Sequence, residues 1–353
     1  MGIGSGVIGS SITYELGRRG FHTLTVDRHG GAGFGSTSFS SAIVRFTYST
    51  YPGVAMSYEG LRYWENWGEH LKADRGTELA KFSQCGMVTL KTTGGHHLKV
   101  LPHFDSIGIP YEDWDEENFQ SHLPELDLRR FGPPKRPEDV GFWDEPTERL
   151  EGGLFTPEAG YVSDPQLAAH NLHAAAAALN CDFRFNTEVT VITQHGGQIT
   201  GVELGDGTLI SAPIVVNAAG PHSRIINEMA GALGDMSIAT TPLRQEVHHV
   251  PSPDELDFEH RGFNIADDDN GIYVRPDVGN NILVGSTEPD CDPLHWVDAD
   301  HEGQIQADQW EAQVLRLNRR LPDVGVPHQK RGVVGVYDVA DDWIPIYDRT
   351  CID

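Results

Sequence analysis

A G-x-G-x-x-G turn at residues 4–9 constrains the fold of this chain more than any other feature. Residues 10–19 follow with apolar side chains at helical spacing, and residues 24–27 form a short β-like run that ends in Asp27. Such a turn needs glycine because the chain bends tightly, approaches a pyrophosphate closely and packs its helix against a strand. The helix N-terminus favours negative charge, and an acid about 20 residues later can bind a ribose 2′-hydroxyl. The sequence therefore predicts a dinucleotide site in a Rossmann-type domain.

Length and charge limit the classes of protein to which this chain can belong. With 353 residues it is too long for one simple core, so we expect two domains. Its 52 acidic side chains exceed its 26 lysines and arginines, which gives a formal net charge of −26. Such a field repels nucleic acid and anionic membrane surfaces, so we expect neither as a partner.

Cysteine and histidine patterns do not indicate a metal site. The four cysteines are scattered without C-x-x-C spacing, and the histidine pairs at 96–97 and 248–249 have no carboxylate in helical register. We therefore expect reduced thiols and no metal. The N-terminus does not resemble a signal peptide, and no apolar run is long enough to cross a bilayer. These features predict a cytoplasmic protein without a membrane span.

A long run of small residues at 30–42 follows the predicted ribose acid. An NAD enzyme of simple Rossmann type would continue here towards a third parallel strand. Small side chains over this length indicate backbone that lies against a flat or charged ligand, although Gly/Ser-rich segments also serve as flexible linkers. The position of the run, between Asp27 and an apolar segment that contains Arg45, favours a loop that lines a ligand.

Further along the chain, α/β segments alternate with antiparallel ones. Helices are predicted at 54–71, 97–107, 165–179 and 304–321, and β-like runs at 82–90, 182–186, 188–193, 199–204, 243–250, 271–276, 281–285 and 332–337. Residues 212–220 predict a buried apolar strand that stops at small residues, where a doubly wound sheet would place a ligand. Because the cofactor-like segments are interrupted twice, the order of elements predicts a second domain inserted into the first.

Several motifs in a fixed order carry a resemblance to a known family. They are residues 4–9, 26–28, 35–38 with 40–41 and Arg45, 159–165, 215–221, and 273–276 with 283–285. With this series the chain resembles the FAD-dependent amine and amino-acid oxidoreductases that include sarcosine oxidase, glycine oxidase, D-amino-acid oxidase and dimethylglycine dehydrogenase. The resemblance covers nearly the whole chain.

The resemblance implies an α/β fold class, with a Rossmann-type FAD-binding domain and a second, α+β substrate domain built on an antiparallel sheet. The implied FAD-binding segments are 1–81, 155–237 and 325–353, and the substrate-domain segments are 82–154 and 238–324. Members of the family have a longer strand before the first glycine and continue past the equivalent of residue 353. We therefore expect this chain to be truncated at both ends.

The resemblance also implies where FAD would bind. Its pyrophosphate would meet the glycine turn, its ribose Asp27, and its flavin end the segment that starts at Gly35, with an antiparallel sheet over the ring. Sarcosine oxidases attach flavin through a cysteine near the position of Gly335, so we expect non-covalent FAD here. The implied cofactor-binding residues are Gly4, Ser5, Gly6, Val7, Ile8, Gly9, Asp27, Arg28, Gly35, Ser36, Thr37, Ser38, Ser41, Val189, Ala218, Ala219 and Gly220.

Four side chains are candidates for catalysis. A substrate carboxylate needs a cation, and the planar guanidinium of arginine binds both carboxylate oxygens. Arg45 and Arg275 are candidates for this contact, although each could instead form a structural ion pair. Tyr273 is expected to line the same site. His248 would tune the flavin or polarise the amine, unless it is a structural histidine.

The function implied is FAD-dependent oxidation of a small amine or N-substituted amino acid, with a sarcosine-, glycine- or D-amino-acid-like substrate. Hydride transfer to flavin N5 would give an imine that hydrolyses. Oxygen, a quinone or an electron-transfer protein would accept the electrons. Two alternatives stay open, namely an NAD(P)-dependent dehydrogenase and a truncated non-catalytic paralogue that keeps the fold.

Overall fold

The computed structural model describes residues 1–301 and 303–350 of the chain. The helices in these residues are α1 (Val7–Arg18), α2 (Tyr51–Glu65), α3 (Trp67–His70), α4 (His96–Ile107), α5 (Glu116–His122), α6 (Pro165–Ala177), α7 (Ser223–Met229), α8 (Phe258–Arg261) and α9 (Ala307–Arg320). Short 3-10 helices lie at Ser36–Phe39, Gly220–His222, Ala232–Asp235 and Pro322–Val324.

Within the described ranges, the strands form four sheets. They are β1 (Gly2–Ile3), β2 (Leu24–Val26), β3 (Ile43–Val44), β4 (Phe82–Ser83), β5 (Met87–Leu90), β6 (Glu112–Trp114), β7 (Gly153–Thr156), β8 (Gly160–Val162), β9 (Asp182–Arg184), β10 (Val189–His195), β11 (Gln198–Leu204), β12 (Leu209–Ser211), β13 (Val216–Asn217), β14 (Thr240–Pro251), β15 (Asn264–Asp267), β16 (Ile272–Asp277), β17 (Asn281–Ser286) and β18 (Gly332–Ala340).

The first sheet has the order β13-β1-β2-β9 and is parallel throughout. Strand β1 has two residues, yet it pairs with a neighbour on each side. Helices α1 and α6 pack against each other beside this sheet, where the alanine-rich α6 allows a close approach. This sheet and its helices confirm the predicted Rossmann-type α/β architecture.

The second large sheet has eight strands in the order β18-β14-β17-β16-β15-β5-β7-β6. All its pairs are antiparallel except β15 with β5. Helix α9 packs across one face, where its Val314 and Leu317 join a core with Val274 and Val284. The fold class predicted from the sequence, an α/β part combined with a largely antiparallel sheet, is therefore confirmed.

Three local predictions need correction, each for a physical reason. The strand expected at 212–220 is reduced to β13, which is half-exposed because it lies at the edge of its sheet. The β-run at 82–90 is divided between two sheets, since Gly86 turns the chain with a φ of +78°. The helix expected from residue 304 begins at Ala307 instead, because the carboxylate of Glu246 caps the preceding Gln306 N–H at 3.0 Å.

Buried ion pairs hold α9 against the eight-stranded sheet. Arg316 forms two 2.7 Å contacts with Asp292, and Arg320 binds Asp267 and Asp269 at 2.8 and 3.0 Å. A buried charge is tolerated only when it is paired and hydrogen-bonded, so these arginines fix the acidic loops that follow β15 and β17. Among the described residues, no helix has the length and apolarity needed to cross a membrane, and no cluster of three or more His, Cys, Asp or Glu side chains has metal-site geometry.

Candidate functional site

The glycine turn lies where the ends of β1 and β13 meet. Gly4 has a φ of +95°, and a Cβ added there would lie 2.3 Å from the carbonyl oxygen of Ala218. A Cβ on Gly9 would lie 1.9 Å from the Gly4 oxygen, so helix α1 can approach the turn only without a side chain at that position. The Ala218 N–H in turn donates to Ile3 O at 2.9 Å. Packing within the protein therefore explains why glycine is needed at two of the three motif positions, Gly4 and Gly9.

Asp27 follows β2 and turns its carboxylate towards the glycine turn. One oxygen, Oδ2, accepts hydrogen bonds from the Ser5 N–H at 2.6 Å and the Ser5 hydroxyl at 2.8 Å. The other, Oδ1, accepts from the His29 N–H at 2.8 Å. The side chain is half-buried, so an oxygen with a free lone pair remains accessible for a hydroxyl donor. Adjacent Arg28 pairs with Asp300 at 2.5 Å and reaches His222 at 2.9 Å.

The small-residue segment packs into the structure as an ordered bridge. Thr37 lies at the start of α1, where its hydroxyl accepts the Val7 N–H at 3.1 Å. The neighbouring Ser36 hydroxyl donates to Val336 O on β18 at 2.6 Å. The segment therefore joins the glycine turn to the eight-stranded sheet, which is inconsistent with a free linker.

The remaining residues implied for the cofactor lie around the same sheet edge. Val189 begins β10 and is buried with Ile3 and Val26, behind the ends of β1 and β2. Ala219 and Gly220 follow β13, and Gly220 starts an exposed turn with a φ of +56°. A glycine turn, a helix N-terminus and a ribose-facing acid at the carboxyl ends of parallel strands fit the ADP half of a dinucleotide.

The second half of the site is one face of the eight-stranded sheet. The register pairs Tyr273 with Gly285, and Gly285 with Val247, so these residues share that face. The Tyr273 ring lies across Gly285, where an added Cβ would meet it at 2.3 Å. Phe39 covers the β18 glycine, Gly335, with its own Cβ 2.8 Å from an added one. The bridging segment therefore packs directly over this face.

A set of polar side chains gathers on this face, and we call it the polar recess: Ser41, Arg45, Tyr273, Glu288 and Tyr337. Tyr273 interacts with the Ser41 hydroxyl and with Tyr337, and Glu288 acts electrostatically on both phenols. Tyr337 keeps 38% of its surface exposed although protein groups surround its hydroxyl, as expected for a side chain that lines a cleft.

Burial and mutual contact perturb the acids of the polar recess. Burial raises the pKa of Tyr273. The pKa of Tyr337 is raised well above its ordinary value, first by the neighbouring Tyr273 phenol and then by burial. Burial, reinforced by the negative charge of Asp292, raises the pKa of Glu288 to about 7. A carboxyl that titrates near neutral pH beside two phenols is suited to hold or move a proton.

Glu288 and Tyr337 were not among the sequence candidates. The strand before Glu288 and the strand that carries Tyr337 were both predicted, but their separation of about 50 residues hides the contact between them. The pairing of β14 with both β17 and β18 brings them together. One local signal was present, since an acid directly after a buried strand end lies where a sheet often presents functional groups.

Arg45 follows β3 and lies half-buried in the polar recess. Its Nη1 donates to the Thr47 carbonyl and, at 3.2 Å, to the Thr47 hydroxyl, while the guanidinium lies 4.4 Å from the Tyr48 ring centroid. Both hydrogen bonds use Nη1, and the other two guanidinium nitrogens make no hydrogen bond to the described residues. The charge also acts on Glu288, without a direct ion pair between the two described side chains.

Arg275 lies on the same sheet face as Tyr273 but is only 3% exposed. Its guanidinium donates to Pro276 O at 2.7 Å and to Asp277 at 3.2 Å, and lies 4.3 Å from the Tyr161 ring centroid. The surroundings therefore favour the structural ion pair that the sequence left open. The contacts of Arg275 do not support the prediction that it binds a substrate carboxylate.

His248 lies on the opposite face of the sheet. It pairs with Val284, whose side chain packs in the core beneath α9, and it is 0% exposed. Burial lowers the pKa of His248 to about 3, so the ring is neutral. The Glu246 carboxylate lies 3.5 Å from the His248 Nε2 and also pairs with Arg244. Residues 248 and 273 point to opposite faces of the sheet, which favours the structural histidine that the sequence left open.

Comparison with known proteins identifies the family. Glycine oxidase from Geobacillus kaustophilus (strain HTA426) is 24% identical over 292 residues, which cover 81% of this chain and 68% of that protein. Its crystal structure superposes with a TM-score of 0.73 at 21% identity, covering 98% of this chain and 83% of that one, which supports the fold.

Two further relatives match a smaller share of their own length. A mouse (Mus musculus) mitochondrial pyruvate dehydrogenase phosphatase regulatory subunit is 23% identical over 90% of this chain and 34% of its own. The formaldehyde-forming 4-methylaminobutanoate oxidase of Paenarthrobacter nicotinovorans is 25% identical over 82% of this chain and 31% of its own. This chain thus spans about a third of both proteins. A family model described as FAD dependent oxidoreductase (DAO) matches residues 3–352, and the chain belongs to that family.

Proposed function

We propose that this protein oxidises a small amino acid or N-substituted amino acid at the carbon next to nitrogen, with non-covalently bound FAD. The observation that carries the proposal is the bridging segment at residues 36–41. It contacts the start of α1 through Thr37, β18 through Ser36, and the polar recess through Ser41. An extended dinucleotide that follows this segment would reach from the glycine turn to the recess.

The chain's own residues suggest how FAD would be held. The glycine turn and the α1 N-terminus would face the pyrophosphate, Asp27 the ribose, and the bridging segment the flavin end. Gly335 carries no side chain able to form a covalent link. FAD, when bound, supplies the hydride acceptor, while the protein orients the amine and excludes water.

Arg45 is the proposed partner of the substrate carboxylate. Its guanidinium is half-buried and keeps nitrogens that make no hydrogen bond to other described residues. A bidentate contact to a carboxylate is stronger than an ordinary hydrogen bond and fixes the orientation of the substrate. The amine would then lie towards Tyr273 and Tyr337. This arrangement selects a substrate that carries both an amine and an acid.

The domain organisation is part of the same proposal. We assign segments 1–81, 155–237 and 325–353 to FAD binding, and 82–154 and 238–324 to the substrate domain. The parallel sheet draws its strands from the first set and most of the eight-stranded sheet draws on the second. Strand β18 joins the two, because it belongs to the third FAD-binding segment yet pairs with β14.

The test is FAD binding followed by turnover. FAD should raise the unfolding temperature, since a ligand at 100 times its Kd stabilises the folded state by about 2.7 kcal/mol. The loaded protein should then release ammonia or methylamine from glycine, sarcosine or D-alanine with oxygen, a quinone or an electron-transfer protein as acceptor. Binding of FAD without reaction with any compound of this class would contradict the proposed substrate class.

A second candidate is a non-catalytic relative that keeps the fold. The match to a protein named as a regulatory subunit, over 90% of this chain, favours this possibility. The same titration separates the two, because a non-catalytic protein would show no flavin reduction by amines under anaerobic conditions. The match to the FAD dependent oxidoreductase family argues against the third possibility, an NAD(P)-dependent dehydrogenase.

A further inference from the structure

We infer that the Glu288 carboxylate contacts the substrate ammonium and takes up its proton, so that the amine is neutral before it is oxidised. This inference rests on the proposed function and names the group that prepares its substrate. It also restricts the substrate to an amino-acid zwitterion, whose ammonium group would meet Glu288 and whose carboxylate would meet Arg45.

Glu288 lies where it could meet a substrate in the polar recess. It shares the polar recess with the phenols of Tyr273 and Tyr337, while Gln245 on β14 hydrogen-bonds its carboxyl. The side chain is half-buried, so it is both surrounded by protein and reachable from the recess. Arg45 acts on it without pairing directly in the described structure. An amine and a carboxylate on one small molecule would therefore each meet an opposite charge.

The backbone at Glu288 is held in an uncommon conformation. It has a φ of +51°, a conformation that is uncommon for residues other than glycine. The Glu288 N–H donates to Ser286 Oγ at 3.0 Å, and that hydroxyl donates to Asp292 at 3.1 Å. Asp292 is in turn clamped by the buried Arg316. An unfavourable backbone conformation held by a buried network is typical of a positioned functional group.

The charges around Glu288 come from several elements. Positive charge comes from Arg45, and negative charge from Asp268 after β15 and Asp292 after β17. Arg244 and Glu246 on the reverse face of β14 form a pair at 2.6 Å and so largely cancel. With a pKa of about 7, Glu288 is at least half ionised at physiological pH, and it is a stronger base than an ordinary carboxylate, which lowers the cost of taking a proton from an ammonium group.

The chemistry requires such an acceptor. An aliphatic ammonium group has no lone pair, so it cannot stabilise the positive charge that develops at carbon when hydride leaves. In the proposed step one N–H bond of the ammonium breaks, one O–H bond forms at Glu288, and the electron pair stays on nitrogen. No oxidant is needed for this step, since only a proton moves. Glu288 later returns the proton to solvent through the recess.

The test measures binding of 2-aminoisobutyrate to the FAD-loaded protein between about pH 5.5 and about pH 8.5. This probe has a carboxylate and an ammonium group but no C–H next to nitrogen, so it cannot be oxidised. For the wild type we expect Kd to weaken about 30-fold at the lower pH, because protonation of Glu288 removes its charge. Asp290→Asn, at an exposed position of the same loop, should behave like the wild type.

Glu288→Gln should bind the probe at least about 10-fold more weakly at the higher pH and lose the pH dependence. With sarcosine, its kcat/KM should rise tenfold per pH unit with the free amine, whereas the wild type levels off above about pH 7. A Glu288→Gln protein that keeps the wild-type pH dependence of Kd would overturn the inference. Because the probe is inert, failure of sarcosine oxidation would count against the proposed function alone.

Discussion

Single residues on the recess face divide the site into a cationic and an anionic side. Arg45 supplies the accessible positive charge. The guanidinium of Arg275 is instead hydrogen-bonded to Asp277 and lies over the Tyr161 ring. The distinction depends on burial and partners, since each residue is an arginine within an apolar stretch of the sequence. Under the proposed function, Arg45 is the partner of the substrate carboxylate and Arg275 supports the structure.

Arg45→Ala should therefore raise KM for an amino-acid substrate. Loss of a charge-assisted hydrogen bond costs about 1.5–3 kcal/mol, which corresponds to a roughly 10- to 150-fold weaker interaction. The exposed Arg62→Ala, which also removes an arginine beside a tyrosine, should change KM by less than about twofold. Steady-state kinetics with sarcosine provides the measurement. An unchanged KM in Arg45→Ala would place the carboxylate elsewhere.

At Glu288 the raised pKa links stability to pH. The folded state holds this proton up to about pH 7, whereas the unfolded carboxyl loses it near its ordinary value of 4.5. Between these values the folded state binds more protons, so the contribution of Glu288 to stability falls as pH rises. Glu288→Gln has no ionisable group at this position, so this loss of stability with rising pH should disappear. Denaturant unfolding should show the variant gaining on the order of 1 kcal/mol relative to wild type from about pH 5 to about pH 8, after allowance for solvent screening.

Two glycines with positive φ near α1, Gly4 and Gly20, allow the cost of steric crowding to be compared with the cost of backbone strain alone. Gly4→Ala would put a Cβ against the Ala218 oxygen, while at Gly20, with a φ of +82°, an added Cβ has nothing within 4 Å. We expect Gly20→Ala to cost about 1 kcal/mol and Gly4→Ala at least about 3 kcal/mol, together with FAD affinity. Chemical denaturation and FAD titration of both variants measure this difference. Equal costs would mean that the contact at Gly4 relaxes freely.

At the scale of elements, the bridging segment and α9 have complementary roles. The segment at 36–41 links the glycine turn to the recess face, and α9 stiffens the sheet from behind. Arg316 connects α9 to the Glu288 loop through Asp292. The geometry of the recess therefore depends on a helix that does not touch it.

Arg316→Met should show this dependence. Removing Arg316 leaves the buried Asp292 charge with only its longer, 3.4 Å contact to Arg136, and breaking a buried pair costs about 3–5 kcal/mol. Arg149→Met, which breaks an exposed pair with Glu116, should cost less than about 1 kcal/mol. Thermal or denaturant unfolding gives both values. If the two variants lose the same stability, the buried pair does not hold the loop as described.

For the whole molecule, the sequence was informative about local elements and limited for long-range contacts. The glycine turn, the acid after β2 and the Gly/Ser segment lie close together in the chain, so spacing alone predicts that they meet. Membership of the recess depends instead on which sheet face a residue occupies. A strand pattern did not show that His248 and Tyr273 point to opposite faces of the sheet, because it does not say which face packs against which neighbour. Glu288 was missed because its partners lie on other strands.

The most direct test of the account is an anaerobic titration of the FAD-loaded protein with sarcosine, followed by flavin absorbance. We predict that the oxidised-flavin band bleaches with one flavin reduced per amine consumed, and that re-exposure to a suitable electron acceptor restores it. Gly4→Ala, prepared in the same way, should show no bleaching because it does not retain FAD. A wild-type protein that binds FAD but keeps its oxidised spectrum with sarcosine, glycine and D-alanine would contradict the account.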